Sequence, residues 1–223
     1  MSVLQITCSG PNVMTGYRKN KAANDEVFYM HDGERYFRTG DMGRMVEGRF
    51  LKITGRIKEQ FKLENGKYVV PAPLEDVYAR SPFIGQIFIC GNNNPSPIAL
   101  VVPNYANLLP WCEKFAKELG VKAPTAQELA DPMTQHLEIF DTPAFSDLIN
   151  QEMVRVSKEL KSFERPAIWQ PLVHPFSQEN QMLTPKMSLR RAVITAAFQD
   201  KLDALYAGKG HRVNYRSNPN KDD

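Results

Sequence analysis

Apolar and polar positions alternate from Ser2 to Thr7, which predicts a strand closed by Gly10, Pro11 and Asn12. Turn signals follow at His31-Asp32-Gly33, Thr39-Gly40-Asp41 and Glu47-Gly48. The runs Val27–Tyr29, Tyr36–Arg38 and Phe50–Ile53 lie between them. Short strands at this spacing predict a small β-barrel or sheet. A second unit is expected after Thr54-Gly55-Arg56. Its first strands are Gln60–Leu63 and Lys67–Val70, joined through Glu64-Asn65-Gly66, with Asn-Gly as the hairpin signal. Pro71 and Pro73 close the second of these strands, and Leu74–Arg80 reads as a helix.

The apolar, β-branched runs Ile84–Cys90 and Ile98–Val102, with a Gly/Asn/Pro turn between them, predict an antiparallel pair. From Asn104 to Leu160 the spacing becomes helical: Leu108, Trp111, Cys112, Phe115 and Leu119 share a face, and Gly120 suits a helix end. Ile168–Val173 reads as a strand and Leu189–Tyr206 as a closing helix. Ala207 to Asp223 carries no apolar period and is expected to be disordered.

Composition narrows the class. The 223 residues are 42% hydrophobic and 24% charged, ordinary values for a globular chain. Twenty-eight basic residues against 25 acidic leave a net charge of +3, too even to favour nucleic acid as a partner. Cys8, Cys90 and Cys112 are odd in number and lack metal or redox spacing, so a reducing, cytoplasmic setting is expected. No apolar run reaches the roughly 18 residues of a membrane-spanning helix; peripheral membrane contact stays open. His31, His136, His174 and His211 are scattered, so no metal site is expected. Ser9 and Ser177 lack a nucleophile-elbow context.

Candidate chemistry concentrates in Tyr36–Pro71 and Asn180–Arg191. Tyr36-Phe37-Arg38-Thr39-Gly40-Asp41, then Gly55-Arg56-Ile57-Lys58 with Gly66 downstream, then Leu183-Thr184-Pro185-Lys186 resemble three signatures of the adenylate-forming enzymes. Gly10-Pro11-Asn12-Val13-Met14-Thr15-Gly16-Tyr17 and the helical stretch 104–160 are similar to long-chain fatty acid acyl-CoA synthetases within that family.

The resemblance implies an α+β chain. Residues 1–56 would be a β-rich remnant of the adenylation domain, 57–206 the mobile C-terminal α/β lobe with a helical insertion at 104–160, and 207–223 a disordered tail. It implies that Asp41 grips the ribose hydroxyls of ATP or AMP, and that Arg56 contacts the ribose or α-phosphate. Lys58 would be the hinge. Gly66 would line the tunnel for the CoA thiol. Lys186 would offset charge on the reacting phosphorus. Long-chain members often read L-T-P-T-x-K, which puts lysine where Ser188 stands here.

No Ser/Thr/Gly-rich phosphate loop ending in Pro-Lys is found. The resemblance assigns that loop, the acyl pocket and the Mg²⁺ ligand to a preceding domain. The chain is therefore expected to be a C-terminal part of an AMP-forming long-chain fatty acid–CoA ligase, inactive by itself. Fatty acid and CoA would be the substrates, and a separate adenylation domain the partner. The alternatives are a non-catalytic or complementing module, or part of an acyl carrier protein ligase.

Overall fold

A computed structural model describes residues 4–215. The chain divides after Gln60 into two compact units.

The first unit comprises β1 (Leu4–Cys8), α1 (Lys21–Val27), β2 (Phe28–His31), β3 (Glu34–Val46) and β4 (Phe50–Arg56), ending in a 3-10 turn over Ile57–Glu59. β3 is the spine of an open four-stranded sheet. β1 runs along one edge, and the other edge pairs first with β2 and then with β4, all antiparallel. Thr39-Gly40-Asp41 is therefore not a turn, as the residue types predict, but lies inside one 13-residue strand. α1 was not predicted; it starts where the Asn20 side chain accepts the Ala23 amide.

This unit has almost no interior. Among its described residues only Met42 and Gly43 are buried. The guanidinium of Arg35 sits 3.6 Å over the Phe28 ring and that of Arg38 4.4 Å over Tyr29, contacts worth about 0.5–1 kcal/mol each when exposed. Leu4, Met45, Leu51 and Ile53 occupy matching registers on one face of the sheet, and each is more than half exposed.

The second unit begins with a hairpin, β5 (Phe61–Lys62) and β6 (Tyr68–Val69), followed by α2 (Pro71–Tyr78). Pro71 opens the helix rather than only closing the strand, because the first helical position needs no amide hydrogen. β7 (Ile84–Cys90) and β8 (Ile98–Pro103) form the expected antiparallel pair. β9 (Ile168–Pro171) joins β8 in parallel, and β10 (His211–Arg212) adds antiparallel to β9. The sheet order is β10-β9-β8-β7.

Every residue of β8 is buried, as a strand covered on both faces requires. Ile87, Ile89, Ala99 and Val101 face a core shared with Leu74, Leu108, Phe145 and Ile149. Phe88, Ile98, Leu100 and Val102 face a second core with Phe176, Ile194 and Leu202. Burying one such side chain contributes about 1.5–3 kcal/mol, so the second unit has the interior the first lacks.

The stretch 104–160 is broken into α3 (Tyr105–Leu119), α4 (Ala126–Ala130), a 3-10 turn Glu138–Asp141 and α5 (Pro143–Val156). Local caps dictate the breaks. Gly120 takes a left-handed φ of 66°; Thr125 and Glu128 form a reciprocal capping box; Thr142 caps α5 ahead of Pro143. The closing helix is likewise two, α6 (Arg191–Ala197) and α7 (Gln199–Tyr206), parted at Phe198.

The predicted disorder from Ala207 is corrected for residues 207–215. β10 pairs with Trp169 and Ile168, His211 lies against the Trp169 ring, and the Tyr215 hydroxyl donates to the Pro166 carbonyl at 3.0 Å. Aromatic anchors at intervals leave no period to read, yet they dock the segment. Residues 216–223 lie outside the described residues.

Candidate active site

In the first unit, β1 sets Gln5 opposite Met42 and Thr7 opposite Arg38, so Thr39, Gly40 and Asp41 together stand opposite Ile6. The motif is thus a bulge. Gly40 accepts a φ of 78° that a side chain would resist. The Thr39 hydroxyl donates to the Ile6 carbonyl at 2.9 Å and accepts the Asp41 amide at 3.1 Å. The bulge also falls where β3 changes partner from β2 to β4, and it fixes how the Asp41 carboxylate leaves the sheet.

Asp41 pairs in register with Arg56 on β4. Arg56 Nε approaches Asp41 Oδ1 at 3.1 Å. The carboxylate is about one-quarter exposed and the guanidinium two-thirds exposed. An ionised carboxylate offers about four acceptor positions, so the Arg56 contact leaves capacity for the two hydroxyls of a ribose. The guanidinium beside it keeps further donors for an anion. These two groups are the part of the site that the strand pairing itself assembles.

Lys58 follows on the 3-10 turn. Its ammonium lies 2.9 Å from Glu26 Oε1 at the end of α1. The hydrogen bond and the charge of Lys58 hold the Glu26 carboxyl below the usual carboxylate range, and Glu26 raises Lys58 in return. Glu26 was missed in the sequence because 32 positions separate the two and α1 had no apolar period to announce it.

Gly66 and Lys186 belong to the second unit. Gly66 donates its amide to the Leu63 carbonyl, and Leu63 donates to the Lys67 carbonyl. Gly66 is left-handed at φ 81°, whereas Asn65 is not. The loop is therefore a type I turn with a glycine bulge rather than the two-residue turn that Asn-Gly suggests. The β7–β8 turn fastens it: Asn93 donates to the Lys62 carbonyl at 2.8 Å and Glu64 to the Asn94 carbonyl at 3.1 Å.

Lys186 sits exposed at the tip of a second loop with the same bonding pattern. Met187 donates to the Thr184 carbonyl, Thr184 donates to the Ser188 carbonyl, and Leu183 bridges Leu189. Here Met187 takes the left-handed position at φ 62°. Lys186 crowns the turn, while Ser188 lies in its returning arm.

Residues 58–167 match the family described as AMP-binding enzyme C-terminal domain. Long-chain-fatty-acid–CoA ligase 5 of Rattus norvegicus is 34% identical over 207 residues, and ligase 1 of Cavia porcellus 32% over 208. Each alignment covers 91% of this chain. The chain belongs to the adenylate-forming (AMP-binding) enzymes. It spans 27% of the length of these two relatives. The A-PCP didomain of carboxylic acid reductase from Segniliparus rugosus, solved in complex with AMP, is similar with a TM-score of 0.69 and 25% identity, over 92% of this chain and 25% of that one. The adenylate-forming fold thus accounts for both units and for the mixed α+β class.

A buried ion pair escaped the sequence reading. Glu75 of α2 meets Arg191 at the start of α6, with both side chains largely covered. Arg191 ends the motif that carries Lys186, but its partner lies 116 positions away, and no spacing rule links them.

Proposed function

We propose that this chain supplies the ribose-gripping strand pair and the mobile C-terminal lobe of an ATP-dependent long-chain fatty acid–CoA ligase. The contact of Asp41 with Arg56 across β3 and β4 carries the reading. The carboxylate accepts the ribose hydroxyls of AMP, while Arg56 holds the carboxylate in place and faces the α-phosphate side. Lys186, on its exposed turn, offsets negative charge as the fatty acid carboxylate attacks the α-phosphorus and pyrophosphate leaves. A turn at Lys58 then withdraws Lys186 and brings the Gly66 hairpin to the acyl-adenylate. There the CoA thiol attacks the acyl carbon, AMP departs and the thioester forms.

The first unit supports a separate adenylation body as partner. A sheet with two buried residues and four exposed apolar side chains on one face has too little interior to stand alone. The chain supplied with the adenylation body of a long-chain relative should release pyrophosphate from ATP and palmitate, then form palmitoyl-CoA. The chain by itself should do neither. Thioester formation that never exceeds the body's own activity would leave only a non-catalytic module.

A second reading draws on the likeness to the A-PCP didomain: the thiol belongs to a pantetheinylated carrier protein rather than CoA. Offering both thiols to the complemented ligase separates the two, and the CoA-ligase relatives favour CoA.

A further inference from the structure

We infer that strand β7 fixes the position of Lys186 by clasping both ends of its loop, which makes Gln86, Glu75 and Arg191 positioning residues for the adenylation step; this rests on the role proposed for Lys186. Ahead of the loop, the Gln86 amide group makes a reciprocal pair with the backbone of Phe176. Its Nε2 donates to the Phe176 carbonyl at 2.9 Å, and its Oε1 accepts the Phe176 amide at 2.6 Å. Behind the loop, Arg191 donates to the Ile89 carbonyl at 3.0 Å and to Glu75. Glu75 in turn accepts the Ile89 amide at 2.8 Å. Gln86 and Ile89 belong to one strand, so both tethers end on the same rigid element.

Between the tethers the loop is closed on itself. The Arg190 amide donates to the Met182 carbonyl, and the Arg190 guanidinium to the Gln181 carbonyl. A turn held at both stems by one strand presents its tip lysine at a fixed height above that strand. The same strand leads into the turn that fastens the Gly66 hairpin. Both working loops therefore travel with β7, and neither needs to reorganise when the lobe turns.

The chemistry of each tether sets its test. A Gln86→Leu side chain keeps similar bulk and loses both hydrogen bonds. Arg191→Met leaves the Glu75 carboxylate without its guanidinium partner. Arg191→Lys keeps the charge but not the planar fork that reaches two acceptors. In the whole chain, hydrogen exchange is followed at Thr184, Met187 and Arg190, whose amides close the loop, and at Leu100 and Val101 in β8 as internal references.

Gln86→Leu and Arg191→Met should each speed exchange in the loop about tenfold or more while β8 stays protected. Arg191→Lys should fall between them and the parent chain. In the complemented ligase, Gln86→Leu should lower kcat for adenylation roughly 10- to 100-fold with KM for ATP unchanged. Thioester formation from preformed acyl-AMP should keep its rate. Loop exchange equal to the parent's, or rising in step with β8, overturns the clasp. If Lys186→Ala leaves adenylation untouched, the ligase role of Lys186 fails instead, a result distinct from any loop-exchange outcome.

Discussion

Lys58 Nζ lies 2.9 Å from Glu26 Oε1, so the proposed hinge residue is tied to the end of α1. The tie lowers the Glu26 pKa, chiefly through the hydrogen bond from Lys58 and then through its charge. A carboxyl with a depressed folded pKa contributes stability above its unfolded value and loses it as pH falls through the folded one. An NMR titration should place the Glu26 midpoint below that of an exposed glutamate. Lys58→Met should move it back up, and an unmoved midpoint would mean that the pair does not persist in solution. Both side chains are largely exposed, so added salt should weaken the pair.

Asp41→Asn keeps the size of the side chain and the Thr39 hydrogen bond while removing the charge. Hydrogen bonds to a charged group contribute about 1.5–3 kcal/mol, so the complemented ligase should bind AMP roughly 10- to 100-fold more weakly. Calorimetric titration with AMP measures this. Unchanged affinity would remove Asp41 from the ribose.

Lys186→Ala should reduce adenylation about 100- to 1,000-fold, the scale seen when one preorganised charge-stabilising group is lost. Thioester formation from preformed acyl-AMP should change far less. Equal losses in both half-reactions would count against the assignment. Ser188→Lys in the Lys186→Ala background asks whether the long-chain spacing serves equally well. The turn predicts that it does not, because Ser188 lies in the returning arm of the loop rather than at its tip.

His211 is held below the ordinary histidine pKa by burial, opposed in part by the Asp141 charge. Its ring sits 4.5 Å from the Trp169 ring, centre to centre. The unfolded chain takes up the proton first as pH falls. The contribution of the docked imidazole is therefore complete above about pH 6.5 and is lost as pH drops through the lower folded value. Trp169 emission and β10 amide protection should both change in that window, and His211→Phe should flatten the response. An imidazole whose NMR midpoint is not below that of an exposed histidine would contradict the burial of this ring.

Burial pushes both Cys90 and Cys112 up to about 11. The thiolate is the reactive form, so iodoacetamide at pH 7.5 should modify Cys8 well before either. Early labelling of Cys90 would show that the covering contact from the Tyr206 hydroxyl, 3.7 Å from its sulfur, is not maintained.

The β7–β8 pair was legible in the sequence because both strands are apolar, β-branched and bounded by an Asn/Pro/Gly turn. The hairpin before α2 was legible for a similar reason, although its turn type was not. Asn-Gly points to two left-handed residues, and the closing bond from Leu63 to Lys67 allows only one. The helical stretch expected over 104–160, with an end at Gly120, holds two further breaks, and the single helix expected over 189–206 is two, because apolar spacing continues through caps that stop the backbone. Thr125, Thr142 and Phe198 end or restart helices without disturbing the spacing.

The sequence by itself determined the family and the α+β class and singled out Asp41, Arg56, Lys58, Gly66 and Lys186 as candidates, because these rest on residue types at fixed local intervals. Tertiary structure alone decided that Thr39-Gly40-Asp41 is a bulge within one long strand, that Glu26 holds Lys58, and that β7 grips both ends of the lysine loop. Those facts depend on strand register and on side chains meeting from positions 32 to 116 residues apart. Chain folding sets such meetings, and no local pattern encodes them.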